Sequence, residues 1–284
     1  MIRKVLIICS CILLLTSCSK KTSYERWEFN NSGLTVNGSK GVKGVDIEAD
    51  ICPIKWKGHD TIIAVVDSDV HADMVSGIIS TKTDVDYLSF FKDAPIYRIG
   101  VDVNQFNINQ LVEDLVVAEE TGIKVVNMSF TMDYFSQELY NFIKESKMLF
   151  VCSVGNEHEN RISFPAAFEL ENIISVVGIN SWGYCSKFSN YSDNADIAAP
   201  GENVMCVNNE MSYSYQSGTS FAAPFITATC AYVIMCKGTN AYDTKEIVLS
   251  TCQKVDSLDG YVCDGRLLSV NNIIDFCEQS NGSP

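Results

Sequence analysis

The chain is poor in positive charge. Across 284 residues, 21 lysines and arginines face 35 aspartates and glutamates, a formal net charge of −14. A nucleic-acid partner calls for clustered Lys and Arg on one face, so no nucleic acid is expected. Among the 12 cysteines no CxxC spacing occurs, which removes the usual zinc-ribbon pattern. Histidine is scarce, with three in all. His59 and His158 have no paired ligand spacing and read as surface residues. No internal repeat and no long linker interrupt the chain, which argues for one domain. The N-terminal apolar run, Val5–Leu15, is too short to span a membrane, which takes about 20 residues. What is present is ordinary for a chain that buries a core: 46% hydrophobic and 20% charged residues.

The N-terminus reads as a targeting segment. Arg3 and Lys4 precede the Val5–Leu15 run, as in a secretory signal. Leu15-Thr16-Ser17-Cys18 then resembles the lipobox of bacterial lipoproteins, in which the cysteine is lipidated and becomes the first residue. The resemblance implies a signal over residues 1–17, a lipid anchor on Cys18 and residence in the bacterial cell envelope, outside the cytoplasm. An acyl anchor holds a protein on a membrane without crossing it. Residues 18–41 are polar, without a sustained period, and read as a tether; residues 42–284 form the domain. With Cys9 and Cys11 in the signal and Cys18 carrying lipid, nine cysteines remain, an odd number. Cys152 and Cys230 lie in apolar runs and read as buried hydrophobes. Cys252, Cys263 and Cys277 are the better disulfide candidates.

Beyond the tether, β-branched apolar runs alternate with helical patterns. "TIIAVV" (Thr61–Val66), "APIYRIGV" (Ala94–Val101), "IKVVNMSF" (Ile123–Phe130), "MLFVCSV" (Met148–Val154) and "IISVVGI" (Ile173–Ile179) read as strands covered on both faces. "NINQLVEDLVVAEETG" places Leu111, Val112, Leu115 and Val116 at helical spacing and stops at Gly122. "SQELYNFIKES" reads as a second helix. This alternation predicts an α/β fold, a parallel sheet flanked by helices on both faces. Active groups of such folds gather at the carboxyl ends of the strands.

Three residues stand out. Asp67 directly follows the first strand. His71 opens "HADMVSGII", a short helical pattern. Ser220 lies between small residues in "QSGTSFAAPFITA" (Gln216–Ala228), at the head of an apolar, alanine-rich run. Singly, each has a plain structural use: a turn aspartate, a surface histidine, a helix cap.

Together, in the order Asp, His, Ser, they resemble the subtilisin-like serine proteases, the subtilases. "GTSFAAP" (Gly218–Pro224) resembles the family's nucleophile motif and "AVVDSD" (Ala64–Asp69) its aspartate strand. "HADMVSGII" (His71–Ile79) resembles its histidine helix, "VVNMSF" (Val125–Phe130) the strand lining its substrate cleft, and "SVGNEHEN" (Ser153–Asn160) its oxyanion asparagine segment. "AAPGENV" (Ala198–Val204) and "CDGRLLSVNNII" (Cys263–Ile274) are similar to later landmarks, so the likeness runs over about residues 50–276. It implies a three-layer subtilisin-like architecture and a serine endopeptidase that hydrolyses peptide bonds through an acyl-enzyme on Ser220. His71 is then the general base, Asp67 its orienting carboxylate and Asn156 the side-chain donor of the oxyanion hole. Ser129 and Gly155 are implied to bind substrate, through strand-like pairing and close backbone approach.

The chain also departs from the family pattern. Asp67 and His71 are four positions apart, where the family usually places a long loop. Four residues of extended chain reach about 13 Å, enough for contact. Asp69 stands in place of a glycine and Asp73 in place of a threonine, adding carboxylates beside the base. Relatives often bind calcium through loops shortened here. The acidic runs "DSDV" and "TDVDY" are possible calcium ligands but read as solvated turns, so no metal or other cofactor is assigned. The alternative function is a catalytically degenerate subtilase-like domain that binds peptides or protein partners without cleavage.

Overall fold

A computed structural model describes residues 26–279, except 30, 32, 34, 44–45, 50–53, 59, 82–88, 103 and 208–212. The signal segment, Cys18, the start of the tether, His59 and the "TDVDY" run lie outside the described residues.

The core strands in chain order are β1 (Ile63–Asp67), β2 (Ile96–Gly100), β3 (Val125–Met128), β4 (Leu149–Ser153), β5 (Ile173–Ile179) and β6 (Ile197–Pro200). A hairpin follows, β7 (Val204–Val207) with β8 (Tyr213–Gln216), and then two short strands, β9 (Gln253–Lys254) and β10 (Arg266–Leu267). One eight-stranded sheet has the order β9-β10-β6-β5-β4-β3-β1-β2. Every neighbouring pair in it is parallel except β9–β10 at the edge.

The helices are α1 (Asp69–Ile79), α2 (Ile108–Glu120), α3 (Gln137–Glu145), α4 (Thr219–Lys237), α5 (Ala241–Thr251) and α6 (Val270–Gln279). Successive residues of a strand face opposite sides, so a wholly apolar strand feeds two cores. Ile63 and Val65 of β1 join the core under α1, α4, α5 and α6; Ala64 and Val66 join the one under α2 and α3. This is the α/β architecture with helices on both faces that the alternating pattern predicts. The helix starts follow local chemistry: the side chain of Asn107 accepts from the N–H groups of Asn109 and Gln110, and that of Ser136 from Leu139.

The apolar run after Ser220 becomes α4, buried from Thr219 to Val233. It is long and apolar enough to cross a membrane, yet it is the central helix of the domain.

Two expectations are corrected. The 18–41 stretch is not all tether. Trp27 is fully buried and its indole N–H donates to the carbonyls of Glu202 and Asn203, both at 3.2 Å. Phe29 packs edge-on against Phe225 of α4, with ring centroids 5.5 Å apart. Two aromatic side chains among polar neighbours carry no periodicity, yet they supply enough apolar area to bind this arm to the domain. Trp27→Ala is expected to lower stability by about 3–5 kcal/mol, read as a drop in the urea midpoint at unchanged slope.

The disulfide expectation also fails. Cys252, Cys263 and Cys277 are free thiols, as are the other described cysteines. Cys277 instead meets Cys236 of α4 at the far end from Ser220, a contact that lowers the Cys236 pKa to about 6 while Cys277 holds its proton more tightly. Cys152 and Cys230 are fully buried, as their apolar settings predict.

Candidate active site

Asp67 is the last residue of β1, and the chain turns through Ser68 directly into α1. Asp69, the first residue of α1, has a φ of +26°. That region favours glycine, which explains why a glycine suits this turn, although aspartate tolerates it better than most residues. The short link therefore delivers His71 on the first turn of the helix, beside the aspartate.

Asp67 Oδ2 lies 2.6 Å from His71 Nδ1, and Asp67 Oδ1 accepts the Ser68 N–H at 2.7 Å. His71 Nε2 lies 3.0 Å from Ser220 Oγ, across 149 positions of sequence. A carboxylate only accepts hydrogen bonds, so Nδ1 carries the ring proton and Nε2 turns its lone pair to the serine hydroxyl. All three residues are buried, at 4%, 9% and 8% exposure, so bulk water does not compete for these contacts. The ring of Phe221 lies against His71, centroid to centroid 5.1 Å, and closes one side. Of the two extra carboxylates, Asp69 is exposed to solvent and Asp73 is ion-paired with Arg98 of β2.

Ser220 is the second residue of α4, so its backbone N–H has no acceptor in the helix ladder. Pro224 shapes the same turn. Proline has no N–H, which leaves the Ser220 carbonyl without its i+4 donor. Ser129 supplies one: its hydroxyl donates to Ser220 O at 2.8 Å. Asn127 Nδ2 donates to Ser129 Oγ at 2.8 Å, and the Thr227 hydroxyl donates to Asn127 Oδ1 at 3.0 Å. Asn127 and Thr227 are both fully buried. This chain of hydrogen bonds clamps the head of α4 to the end of β3. The sequence marks Ser129 only as a strand end that pairs with substrate; its hydroxyl clamp, and the parts of Asn127 and Thr227 in it, are not marked there. The available signal was a polar residue in the middle of the otherwise apolar strand "VVNM".

Asn156 stands opposite, after β4. Its Oδ1 accepts from the Thr219 N–H at 2.8 Å and from the Thr219 hydroxyl at 3.0 Å. A backbone N–H can only donate, so the oxygen is identified and Nδ2 is left for another partner. A Cβ placed on Gly218 would lie 3.7 Å from Asn156 Nδ2 and 3.1 Å from Ser220 Oγ, so both groups border the same small space. Gly155 has a φ of +112°, and a Cβ there would meet Asn190 Nδ2 at 2.4 Å, Glu157 Oε2 at 2.7 Å and Ser163 Oγ at 2.9 Å. The backbone conformation therefore favours glycine at 155, and the side-chain ends around it add to that, independently of any ligand. Among the described residues no group of three or more His, Cys, Asp or Glu side chains converges as a metal site.

The model of the subtilase family matches residues 43–262. The chain belongs to the subtilase family. Curated relatives include the thermophilic serine proteinase of Bacillus sp. (strain AK1), 25% identical over 82% of this chain and 57% of the relative. The cell wall-associated protease of Bacillus subtilis (strain 168) is 28% identical over 72% of this chain and 26% of its own length. Thermitase of Thermoactinomyces vulgaris is 24% identical over 80% of this chain and 79% of its own. The aligned chain thus spans just over half of the first relative and about a quarter of the second. Among solved structures, the prenylagaramide maturation protease PagA superposes with a TM-score of 0.63 at 18% identity, covering 78% of this chain and 93% of that one. A protease from Pseudoalteromonas arctica gives 0.66 at 16%, covering 79% and 90%. At these identities the structural likeness speaks for the fold, a subtilase sheet with its helices.

Proposed function

We propose that this subtilase is a serine endopeptidase working through an acyl-enzyme on Ser220. The observation that carries the reading is the line Asp67–His71–Ser220, with contacts of 2.6 and 3.0 Å in the required tautomer. Attack by Ser220 Oγ on a peptide carbonyl passes its proton to His71 Nε2, and Asp67 stabilises the imidazolium that forms. The same proton then goes to the leaving amine. Water repeats the sequence to release the acid. Asn156 Nδ2 and the Ser220 N–H are the donors for the oxyanion, the second helped by the positive end of α4. An extended peptide runs beside Ser129 at the end of β3, with Gly155 on its other flank.

A fluorophosphonate probe tests the reading. It is expected to label the wild type and not Ser220→Ala; absence of labelling in both leaves a domain that binds without cutting. Asn156→Asp is the sharper test of the oxyanion role, because it keeps the acceptor that holds Thr219 and removes the donor. It is expected to lower kcat by about 10²–10³-fold, a scale known from subtilisin itself, with the denaturation midpoint unchanged. A fall in KM-normalised activity that only follows lost stability would argue instead for a structural role.

The order of Arg3–Lys4, Val5–Leu15 and Cys18 supports lipid attachment at Cys18 and a place on the outer side of a membrane in the cell envelope. The substrates are then peptides or proteins reached from that surface.

A further inference from the structure

The buried arm that follows the N-terminal segment docks beside an exposed aromatic turn. Asn31 Nδ2 and the Val42 N–H both donate to the carbonyl of Ser181, each at 2.9 Å. The next residues, Trp182 and Tyr184, are 46% and 56% exposed, and Val42 is 40% exposed. The turn that presents them is held firmly. Asn180 Oδ1 accepts from the N–H groups of Trp182 at 2.9 Å and Tyr184 at 3.3 Å, and Ser257 Oγ donates to Gly183 O at 2.6 Å. A fixed turn that keeps a tryptophan and a tyrosine in solvent has no use in the core of the domain. Those two side chains, apolar with one polar handle, are the types that settle at a membrane–water boundary. Lys43 and Lys187, both exposed, flank them and suit phosphate headgroups.

We propose that Val42, Trp182 and Tyr184 form a lipid-contact patch that seats the domain on the membrane carrying its anchor. The proposal rests on the reading of Cys18 as the lipidated residue. Arg26, where the described arm begins, is eight positions beyond Cys18. Fully extended, that length of chain reaches about 29 Å, less than the diameter of about 45 Å expected for a domain of this size. The side of the domain opposite Arg26 is therefore beyond the reach of the anchor, and the Arg26 side is the one kept near the bilayer. Trp27, hydrogen-bonded to Glu202 and Asn203, lies on that side. A hollow of about 460 Å³ is lined by Asn180, whose side chain holds the aromatic turn, by Lys187, Phe188, Glu202 and Asn203, and by Ser217, three positions before Ser220. Seated in this way, the cleft opens close to the lipid surface and takes segments that lie along it.

Tryptophan fluorescence tests this directly, because Trp27 is fully buried and Trp56 is 8% exposed, which leaves Trp182 as the reporter. The full chain purified from membranes is placed in phosphatidylcholine vesicles with plain or brominated acyl chains. The expected result is a shift of emission to shorter wavelength and loss of emission in brominated lipid, both absent from Trp182→Phe. A chain that floats with the vesicles and shows equal emission in both lipids overturns the patch and leaves the anchor standing. A purified chain whose mass shows no acyl group on Cys18 overturns the anchor, and the patch with it.

Discussion

Ser220→Ala and His71→Ala are each expected to lower kcat toward a peptide substrate by on the order of 10⁶-fold, and the double variant by no more than either alone; the scale is that of subtilisin itself. The reason lies in the geometry. Among the described residues, His71 Nε2 has one hydroxyl within reach, at 3.0 Å, and Ser220 Oγ has one base. Removing either leaves the other without work, so the losses do not add. Steady-state kinetics on the purified variants, with circular dichroism to show that the fold persists, give the measurement. Losses that multiply in the double variant would mean that the two residues act separately, and the proposed mechanism would fall.

The second large effect concerns the short link. Asp67→Asn is expected to lower kcat by about 10⁴-fold, or about 5.5 kcal/mol of barrier, with little change in stability. An asparagine amide that turns its NH₂ toward Nδ1 forces the ring proton onto Nε2, where it faces the Ser220 hydroxyl and cannot accept from it. The fold has no reason to change, because the Ser68 N–H keeps an oxygen acceptor. The comparison that decides is kcat against the denaturation midpoint. A variant with nearly full activity would show that His71 holds its orientation without the carboxylate.

Much of this was readable in the chain. The runs around Val65, Val126, Val151 and Val176 are apolar on both faces because both faces of the sheet are covered, and that pattern signals a parallel sheet. Asp67, His71, Ser220 and Asn156 were found through motif order, and the structure brings them to one edge of that sheet. What escaped was long-range. Asn127 and Thr227 are 100 positions apart and meet only because α4 crosses β3. Nothing local marks such a pair except polarity in an apolar setting. Trp27 was hidden for the opposite reason: one large apolar residue in a polar stretch has no period, yet its burial decides where the arm goes. The cysteines misled because spacing alone does not bring sulfurs together; Cys252 and Cys263 belong to different turns of the C-terminal region.

The direct passage from strand to helix at Asp67–His71 has a consequence for how this chain can diversify. Base and carboxylate form one preassembled unit whose internal alignment is set by a single turn of chain, with almost no loop to close. The remaining requirement for alignment is the placement of that unit against the head of the serine helix. Surrounding loops are thereby released from holding Asp67 and His71 together, and under the proposed mechanism their lengths and sequences are free to follow the substrate.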